Sequence, residues 1–534
     1  MSRLLFAGLL SLAPTLAAQS TTPSPGLTFH DPMGLTTARL VDEASATVHT
    51  WDLGTLPGVA SYLDADGNVL RAYNNGTGGG VGSGGSIERR RFDGTVLWDY
   101  TPPLAGQQHH DIQELPNGNV LIVVTDVFTD AQMIGYGRDP ANTTPTWNSE
   151  RIVEIAQTGP TSGQVVWEWR AIDHLVQDFD PSAPDFDTIA DRPERIDVNY
   201  PPTPATPLWL HINAIDYNAQ LDQIVVSCRN WSELWVIDHS TTTGEARGST
   251  GGDQGMGGDI LYRWGNPAAY DTAGTRQLAN QHDVQWIRPG LPGAGNLLCF
   301  NNLIGMVRGL GNASAITELA PPVGPTGAYA HTPGQAFGPA APVWEYLAPT
   351  PTDFYSAIVS SAQRLPNGNT LVHSGQQNHS FELGLNDQIV WQATVPMSFK
   401  ARRYDFTLWA GDERVSATTG GQVGFDLVAG STQAGNLYLL GGSITGTSPG
   451  FRFGAVTVPL VFDDYTLASA GSVLLPGSIG TLDALGRGVA TFDLPPLVGA
   501  GFVGTTFHHA FVVLQSGTLT PTMASNPRGI LMQP

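Results

Sequence analysis

One short pattern constrains this chain more than any other. His110-Asp-Ile-Gln113 returns as His282-Asp-Val-Gln285. Each copy leads into a turn, Pro116-Asn-Gly-Asn119 or Pro289-Gly-Leu-Pro-Gly293, and then into an apolar run, Val120–Val124 or Leu297–Phe300. That is a strand, a Gly/Pro or Asn-Gly turn, and a second strand. A histidine at one point of a repeated hairpin predicts a ring of hairpins whose histidines converge.

The hairpin belongs to a longer unit that ends in a tryptophan-bearing strand. Copies run from Tyr62 to Trp98, His110 to Trp169, His211 to Trp264, His282 to Trp344 and Gln363 to Trp391. Four strands in each, at roughly 50–70 residues per unit, is the pattern of propeller blades, with Trp98, Trp167, Trp264, Trp344 and Trp391 as blade core. Leu40–Trp51 reads as an outer hairpin lacking its inner half. It predicts a sixth blade completed by strands from about residues 395–412. The expected fold is therefore all-β, a six-bladed β-propeller over residues 19–415. After residue 416 charged residues thin out and short apolar strands alternate with Gly, which predicts a β-sandwich-like module over 416–534. Residues 170–208, 240–258 and 265–281 are long connections of the kind that form rims or lids.

Residues 1–18 join Arg3, a short apolar run and Ala17-Ala18, the pattern of a cleaved secretory signal peptide. The protein is expected outside the cytoplasm, secreted or periplasmic, with no membrane insertion. The formal net charge is -22 and Lys400 is the only lysine. This argues against nucleic acid or an anionic membrane surface as a partner, and the absence of Gly-Lys-Ser/Thr excludes a Walker A lysine. Two cysteines, Cys228 and Cys299, cannot staple a chain of this size; they are free and buried or form one bridge. Gly446-Thr-Ser-Pro-Gly450 matches a nucleophile elbow in letters only, because no helix follows it. His508 and His509 read as structural or surface histidines.

Aligning the hairpins places His110, His211 and His282 at matching points of inner strands, with Ser360 at the same point of the fifth unit. Asn213 lies two residues beyond His211, on the same strand face. Arg229 ends the second strand of that unit. The adjacent Asp111 and Asp283 face the other way. Three histidines, Arg229, Asn213 and Ser360 would cost several kcal/mol to desolvate with no ligand. Arg229 and Asn213 suit a sulfonate or phosphate oxyanion. One histidine could take the group covalently while another protonates the leaving phenolate. The residues alone also allow a three-histidine metal site or a propeller that binds a glycan or an envelope partner without catalysis.

The stretches His109–Asn119, Trp209–Asn218, Gln223–Arg229, Ser232–Thr241 and Asn280–Trp286 resemble the bacterial arylsulfate sulfotransferase family, in order, over about residues 35–410. The resemblance implies transfer of a sulfuryl group from a phenolic sulfate ester to a phenol, with no cofactor, no metal and no nucleotide donor. It further implies that His282 is the transiently sulfated histidine, that His110 and His211 support it, and that Asn213 and Arg229 hold the sulfuryl group. Ser360 and His109 are carried over as substrate-contacting residues. The expected partners are a small aryl sulfate and a phenolic acceptor, and a homodimer is allowed.

Overall fold

The computed structural model describes residues 19–76, 83–201, 207–496 and 501–534. The expected signal peptide lies outside the described residues. Six four-stranded antiparallel sheets follow one another along the chain. Blade two is Pro57–Leu63, Val69–Asn74, Gly85–Arg90 and Val96–Tyr100. Blade three is Gln108–Glu114, Val120–Thr129, Thr146–Gly159 and Ser162–Arg170. Blade four is Ile212–Asn218, Gln223–Cys228, Glu233–Asp238 and Ile260–Trp264. Blade five is His282–Trp286, Leu297–Asn301, Ala315–Leu319 and Trp344–Tyr346, and blade six is Ser361–Arg364, Thr370–Ser374, His379–Leu383 and Ile389–Thr394.

Blade one closes the ring. Its inner strand, Ser398–Tyr404, arrives after blade six and pairs with Leu27–Pro32, which continues to Thr37–Val41 and Thr47–Asp52. The sixth blade is thus present, but its outer three strands come from the N-terminal side and only one from 395–412. Each inner hairpin turns on a residue that tolerates left-handed backbone. Gly118 (φ 83°) sits in a turn closed by Leu115 N–H donating to Asn119 O at 2.8 Å. Gly67 and Gly368 repeat it in blades two and six.

The recurrent tryptophans do more than fill the blades. In every blade one last-strand indole N–H donates to the following blade. Trp51 reaches Arg91 O (3.1 Å), Trp98 reaches Ser162 O (3.1 Å) and Trp169 reaches Gly258 O (2.7 Å). Trp264 reaches Pro339 O (2.7 Å), Trp344 reaches Asp387 Oδ1 (3.2 Å), and Trp391 reaches Glu43 O (2.8 Å) in blade one. A buried indole needs an acceptor, and this geometry finds it one blade further on, around the whole circle.

The axis is crossed by a buried ionic cluster. Lys400 Nζ, on the closing strand, lies 2.6 Å from Asp111 Oδ2 and 3.1 Å from Asp283 Oδ1, and it donates to Tyr62 OH at 2.5 Å. Arg402 also binds Asp283. Asp111 and Asp283 do face away from their histidines, as expected, and they accept from the next blade as well: Ile215 N–H at 3.0 Å and Ala362 N–H at 2.8 Å.

The C-terminal module is a sandwich. One sheet holds Leu408–Ala410, Gly421–Val428 and Arg487–Leu494; the other holds Arg414–Ser416, Arg528–Gln533, Thr506–Leu514, Leu437–Ser443 and Ile479–Thr481. Phe425, Leu427, Phe492, Leu440, Phe511 and Ile530 share the core between them. Its first strand, Leu408–Ala410, lies ahead of residue 416. His509 is buried with Nε2 on Tyr465 OH at 2.9 Å, a structural role. Gly446–Gly450 is a loop between strands, and Cys228 and Cys299 are free and buried. Of the long connections, residues 170–201 and 240–258 meet at the outer edge of blade four, through His174 Nε2 on Ala246 O (2.9 Å).

Removing one partner of a buried ion pair leaves the other uncompensated. Lys400→Met should therefore lower the unfolding free energy in urea by about 3 kcal/mol. Lys400→Met combined with Asp111→Asn should recover part of that loss. A loss below about 1 kcal/mol, the range of an exposed pair, would show that the cluster is not what closes the axis.

Candidate active site

The inner strands of blades two to six begin with backbone that a regular strand does not use. Val59 (φ 99°), His110 (φ 55°), His211 (φ 58°), Asp283 (φ 60°) and Ser360 (φ 85°) all have positive φ. In blades two, three and five the register to the second strand shifts across that residue, and in blade four it shifts just after it, between Ile212 and Ala214. These are bulges, and a bulge re-aims the side chains around it. A non-glycine residue held there costs of order 1–3 kcal/mol, so the surrounding contacts must impose it.

The bulges place the histidines in two adjoining groups. His109, His110 and His211 form a row: Nδ1 of His109 is 2.8 Å from Nδ1 of His110, and Nε2 of His110 is 3.0 Å from Nε2 of His211. His282 stands apart from the row, with Nδ1 2.8 Å from Asn302 Oδ1. The two tetrads differ here. In blade three the left-handed residue is the histidine itself; in blade five it is the following aspartate. His110 therefore turns toward blade four, whereas His282 turns toward its own second strand. Phe399 lies between them, its ring 6.1 Å from that of His110 and 6.2 Å from that of His282.

Asn302 settles which nitrogen of His282 is free. Its amide Nδ2 donates to Ser356 O (2.8 Å) and Val359 O (3.1 Å). Its Oδ1 therefore faces His282 and accepts from Nδ1–H, which leaves a lone pair on Nε2. Burial and then the charge of Arg229 push the His282 pKa down to about 3. Burial alone takes His109 to about 4, and His110 and His211 fall well below the usual imidazole range for the same first reason. All four rings are neutral at pH 7.

Arg229 is the cation of this region. It follows strand Gln223–Cys228, its backbone N–H donates to His211 O (3.1 Å), and its Nη1 donates to Asn230 Oδ1 (3.2 Å). It has no carboxylate partner among the described residues, and burial lowers its pKa. Its charge acts on His110, His211 and His282 alike. A half-buried guanidinium with no counterion is prepared for an anion.

The remaining expected residues are placed less directly. Asn213 is fully buried; its Nδ2 donates to Gln281 O (2.8 Å), while Oδ1 has no partner. The bulge at Ile212/Ala214 interrupts the alternation that put His211 and Asn213 on one face. Ser360 Oγ donates to Ser356 Oγ (2.9 Å) and accepts from Gly375 N–H (3.0 Å), so it reaches His282 only through Ser356 and Asn302. A cavity of about 700 Å³ opens beside the row, walled by His109, His110, His211, Gln108 and Glu150 among others. Its described walls include neither His282 nor Arg229. A larger cavity of about 840 Å³ lies at the other ends of the inner strands, around Glu114, Arg288 and Arg528, away from the histidines.

Asn302 and Glu150 are the residues that sequence reading missed. Asn302 follows strand Leu297–Asn301 as Arg229 follows Gln223–Cys228, so the repeat alignment could have found it. Nothing in the sequence marks Glu150 on the third strand of blade three. A metal held by all three histidines would need a free nitrogen on His110, and both of its nitrogens are engaged. No group of three His, Cys, Asp or Glu among the described residues is arranged to hold a metal ion.

His30, His49, His373 and His509 are also depressed by burial, to between about 3 and about 4. The unfolded chain protonates these histidines near pH 6.5, whereas the folded chain does so only near 3–4. At these rings the unfolded protein binds more protons in that window, so each contributes stability that is full above pH 6.5 and lost as pH drops toward 4. Glu114, Glu150 and Asp197, raised by burial to about 7, about 8 and about 6, oppose this in the same window, so the rings are read one by one: in the folded chain their proton resonances should not shift between about pH 8 and about pH 5, and a titration near pH 6.5 would contradict the buried neutral rings.

The model of the arylsulfotransferase (ASST) family matches residues 82–401. Similar solved structures include virginiamycin B lyase from Staphylococcus aureus, at 12% identity over 71% of this chain and 87% of that chain, with a TM-score of 0.33. A periplasmic gluconolactonase from Pseudomonas aeruginosa is 12% identical over 71% of this chain and 99% of its own, with a TM-score of 0.38. A putative 6-phosphogluconolactonase from Bacteroides fragilis is 11% identical over 72% and 99%, with a TM-score of 0.37. No curated protein matches the chain. The matched span of 82–401 is more than half of the chain and contains every inner strand that carries a histidine of the row or His282, and the chain belongs to the arylsulfotransferase family.

Proposed function

We propose that the chain transfers a sulfuryl group from an aryl sulfate ester to a phenol in two half-reactions through Nε2 of His282, with no nucleotide donor. The observation that carries this reading is the pairing of a lone pair fixed on His282 with an unpaired Arg229 whose charge reaches it. In the first half-reaction Nε2 attacks sulfur, the N–S bond forms and the S–O(aryl) bond breaks. The aryl oxide leaves as the anion, steadied by an N–H of the neutral His110–His211 pair, and takes its proton from solvent. The ring of His282 then carries positive charge, which the Nδ1–H bond to Asn302 spreads, while Arg229 faces the sulfonate oxygens. In the second half-reaction a phenol passes its proton through the same pair to solvent, its oxygen bonds to sulfur and the N–S bond breaks, which restores the neutral His282 ring.

The chemistry asks for neutral imidazole, since a protonated ring has no lone pair. Burial supplies that at pH 7 for every ring of the site. Arg229 supplies charge where charge accumulates, the role that usually contributes most to such reactions. Asn213 and Ser360 hold neighbouring backbone and side chains in place around this centre. Export of the protein belongs to the same reading and rests on residues 1–18.

Incubation with a chromogenic aryl sulfate and no acceptor should add the mass of one SO3 group to the intact protein, and a phenol should remove it. His282→Ala should abolish both the mass gain and turnover. Arg229→Ala should lower turnover by about 10²–10³. Asn302→Leu, which frees the ring to adopt either tautomer, should lower the sulfation rate more than Asn302→Asp, which keeps an acceptor. A mass gain that survives His282→Ala would move the covalent step to another residue.

A further inference from the structure

His211 is held where a strand residue does not rest, and one of the contacts that holds it comes from another blade. Its φ is 58°, backbone that a non-glycine residue keeps only where its surroundings impose it. Its carbonyl accepts from Arg229 N–H at 3.1 Å, within blade four. Its N–H donates to Glu150 Oε1 at 3.1 Å, across to the third strand of blade three. The same carboxyl also accepts from Ile212 N–H.

The chain just before His211 shows why a side chain is needed there. Asn148 N–H donates to Pro207 O at 2.7 Å, and Trp209 N–H donates to Asn148 O at 3.0 Å. This is the start of a parallel ladder, and it consists of a single bridge. The next contact along it, Glu150 to His211, is made by the carboxyl instead of the main chain. Asp111 clamps the same inner strand through Ile215 N–H at 3.0 Å, but on the far side of the register shift between Ile212 and Ala214. That clamp leaves the conformation of His211 to Glu150.

Glu150 is buried, and its second oxygen, Oε2, has neither a partner nor exposed surface. It therefore meets no substrate. A buried carboxyl with one oxygen unpaired costs stability. Departures of this kind from the needs of the fold are expected where a site is being held. Burial raises the carboxyl to about 8, so at pH 7 it is neutral and accepts through its carbonyl oxygen.

We infer that Glu150 is a positioning residue for the histidine pair: by accepting from His211 N–H it fixes the left-handed backbone that lays His211 Nε2 against His110 Nε2, 3.0 Å away. What the pair then does, offering an N–H to the departing aryl oxygen, rests on the sulfotransfer reading. Without the acceptor His211 relaxes toward extended backbone and its ring leaves the row.

Glu150→Leu removes the acceptor at similar volume, whereas Glu150→Gln keeps a carbonyl oxygen in its place. Turnover of a chromogenic aryl sulfate should fall about 10²-fold in Glu150→Leu, the scale of a misplaced catalytic group, with kcat carrying the loss. It should stay within about threefold of the unaltered protein in Glu150→Gln, where one neutral acceptor replaces another. Added to His211→Ala, Glu150→Leu should cause no further loss, because it acts through the missing ring. A second readout needs no reaction. In the unaltered chain and in Glu150→Gln the His211 ring resonances should not move between about pH 7 and about pH 5, whereas in Glu150→Leu the released ring should titrate at about 6.5.

Turnover kept in Glu150→Leu, or a His211 ring that still does not titrate there, would overturn the proposal and make Glu150 part of the fold alone. So would a Glu150→Gln protein as slow as Glu150→Leu, or a further loss on top of His211→Ala. If Glu150→Leu does not fold, Glu150→Asp, whose shorter arm withdraws the acceptor, carries the same comparison. If the chain moves no sulfuryl group, the proposed reaction is overturned, while the His211 resonances still decide whether Glu150 holds the ring.

Discussion

At the head of each inner strand in blades two to six the chain passes through left-handed backbone, in blade six at both Val359 and Ser360, and both the ring and the site depend on it. In an unbroken strand successive side chains alternate rigidly. The bulges at His110 and Asp283 instead send a histidine to one end of the channel and its neighbouring aspartate to the other. The aspartates then do structural work. Asp111 and Asp283 accept backbone N–H groups from the next blade and share Lys400 across the axis. The strain at the histidine end is offset by the ionic and hydrogen-bonded contacts at the aspartate end, so the geometry of the histidine site is tied to the closure of the propeller itself.

Charge is distributed with the same economy. In a chain of net charge -22, the buried cations near the axis are paired: Lys400 with two carboxylates, Arg402 with Asp283, Arg71 with Glu88. Arg229 is the exception beside the histidines, with no carboxylate partner among the described residues. An isolated cation in a strongly acidic protein would repel a metal ion and attract a sulfonate. It also lowers the proton affinity of the rings around it, which keeps a lone pair available on His282.

The parts of this architecture that recur were legible in the sequence, and the parts that occur once were not. The last-strand tryptophans are a repeat because each blade needs the same bond to its neighbour, so counting them located the blades. His110-Asp-Ile-Gln and His282-Asp-Val-Gln stood out because both copies serve two ends of the channel. The closing strand carries neither mark, and nothing around the only lysine, Lys400, in Ser398-Phe-Lys-Ala-Arg-Arg403 reports the two carboxylates it meets. Alternation placed Asn213 beside His211, but a bulge is a departure from alternation and is set by contacts far away in sequence. Glu150 lies on a third strand whose neighbours in the cavity come from blades two and four; no local pattern reports that meeting.

Strand direction explains how a second module can be carried without obstructing the site. The inner strands run away from the histidines, so the hairpin turns 64–68, 42–46 and 91–95 all fall at the opposite end of the ring. The C-terminal sandwich docks there and nowhere near the row: Trp409 Nε1 donates to Gly67 O (2.9 Å), its ring stacks on Phe92 at 4.5 Å, and Asp42 Oδ2 accepts from Ser431 N–H at 2.6 Å. Val428 and Trp409 join the core cluster of blade one with Leu40, Val48 and Trp51. The module therefore braces the blade that is assembled from both ends of the propeller chain, the seam where a ring is weakest. The face that carries His109, His110 and His211 is left to the connections between blades.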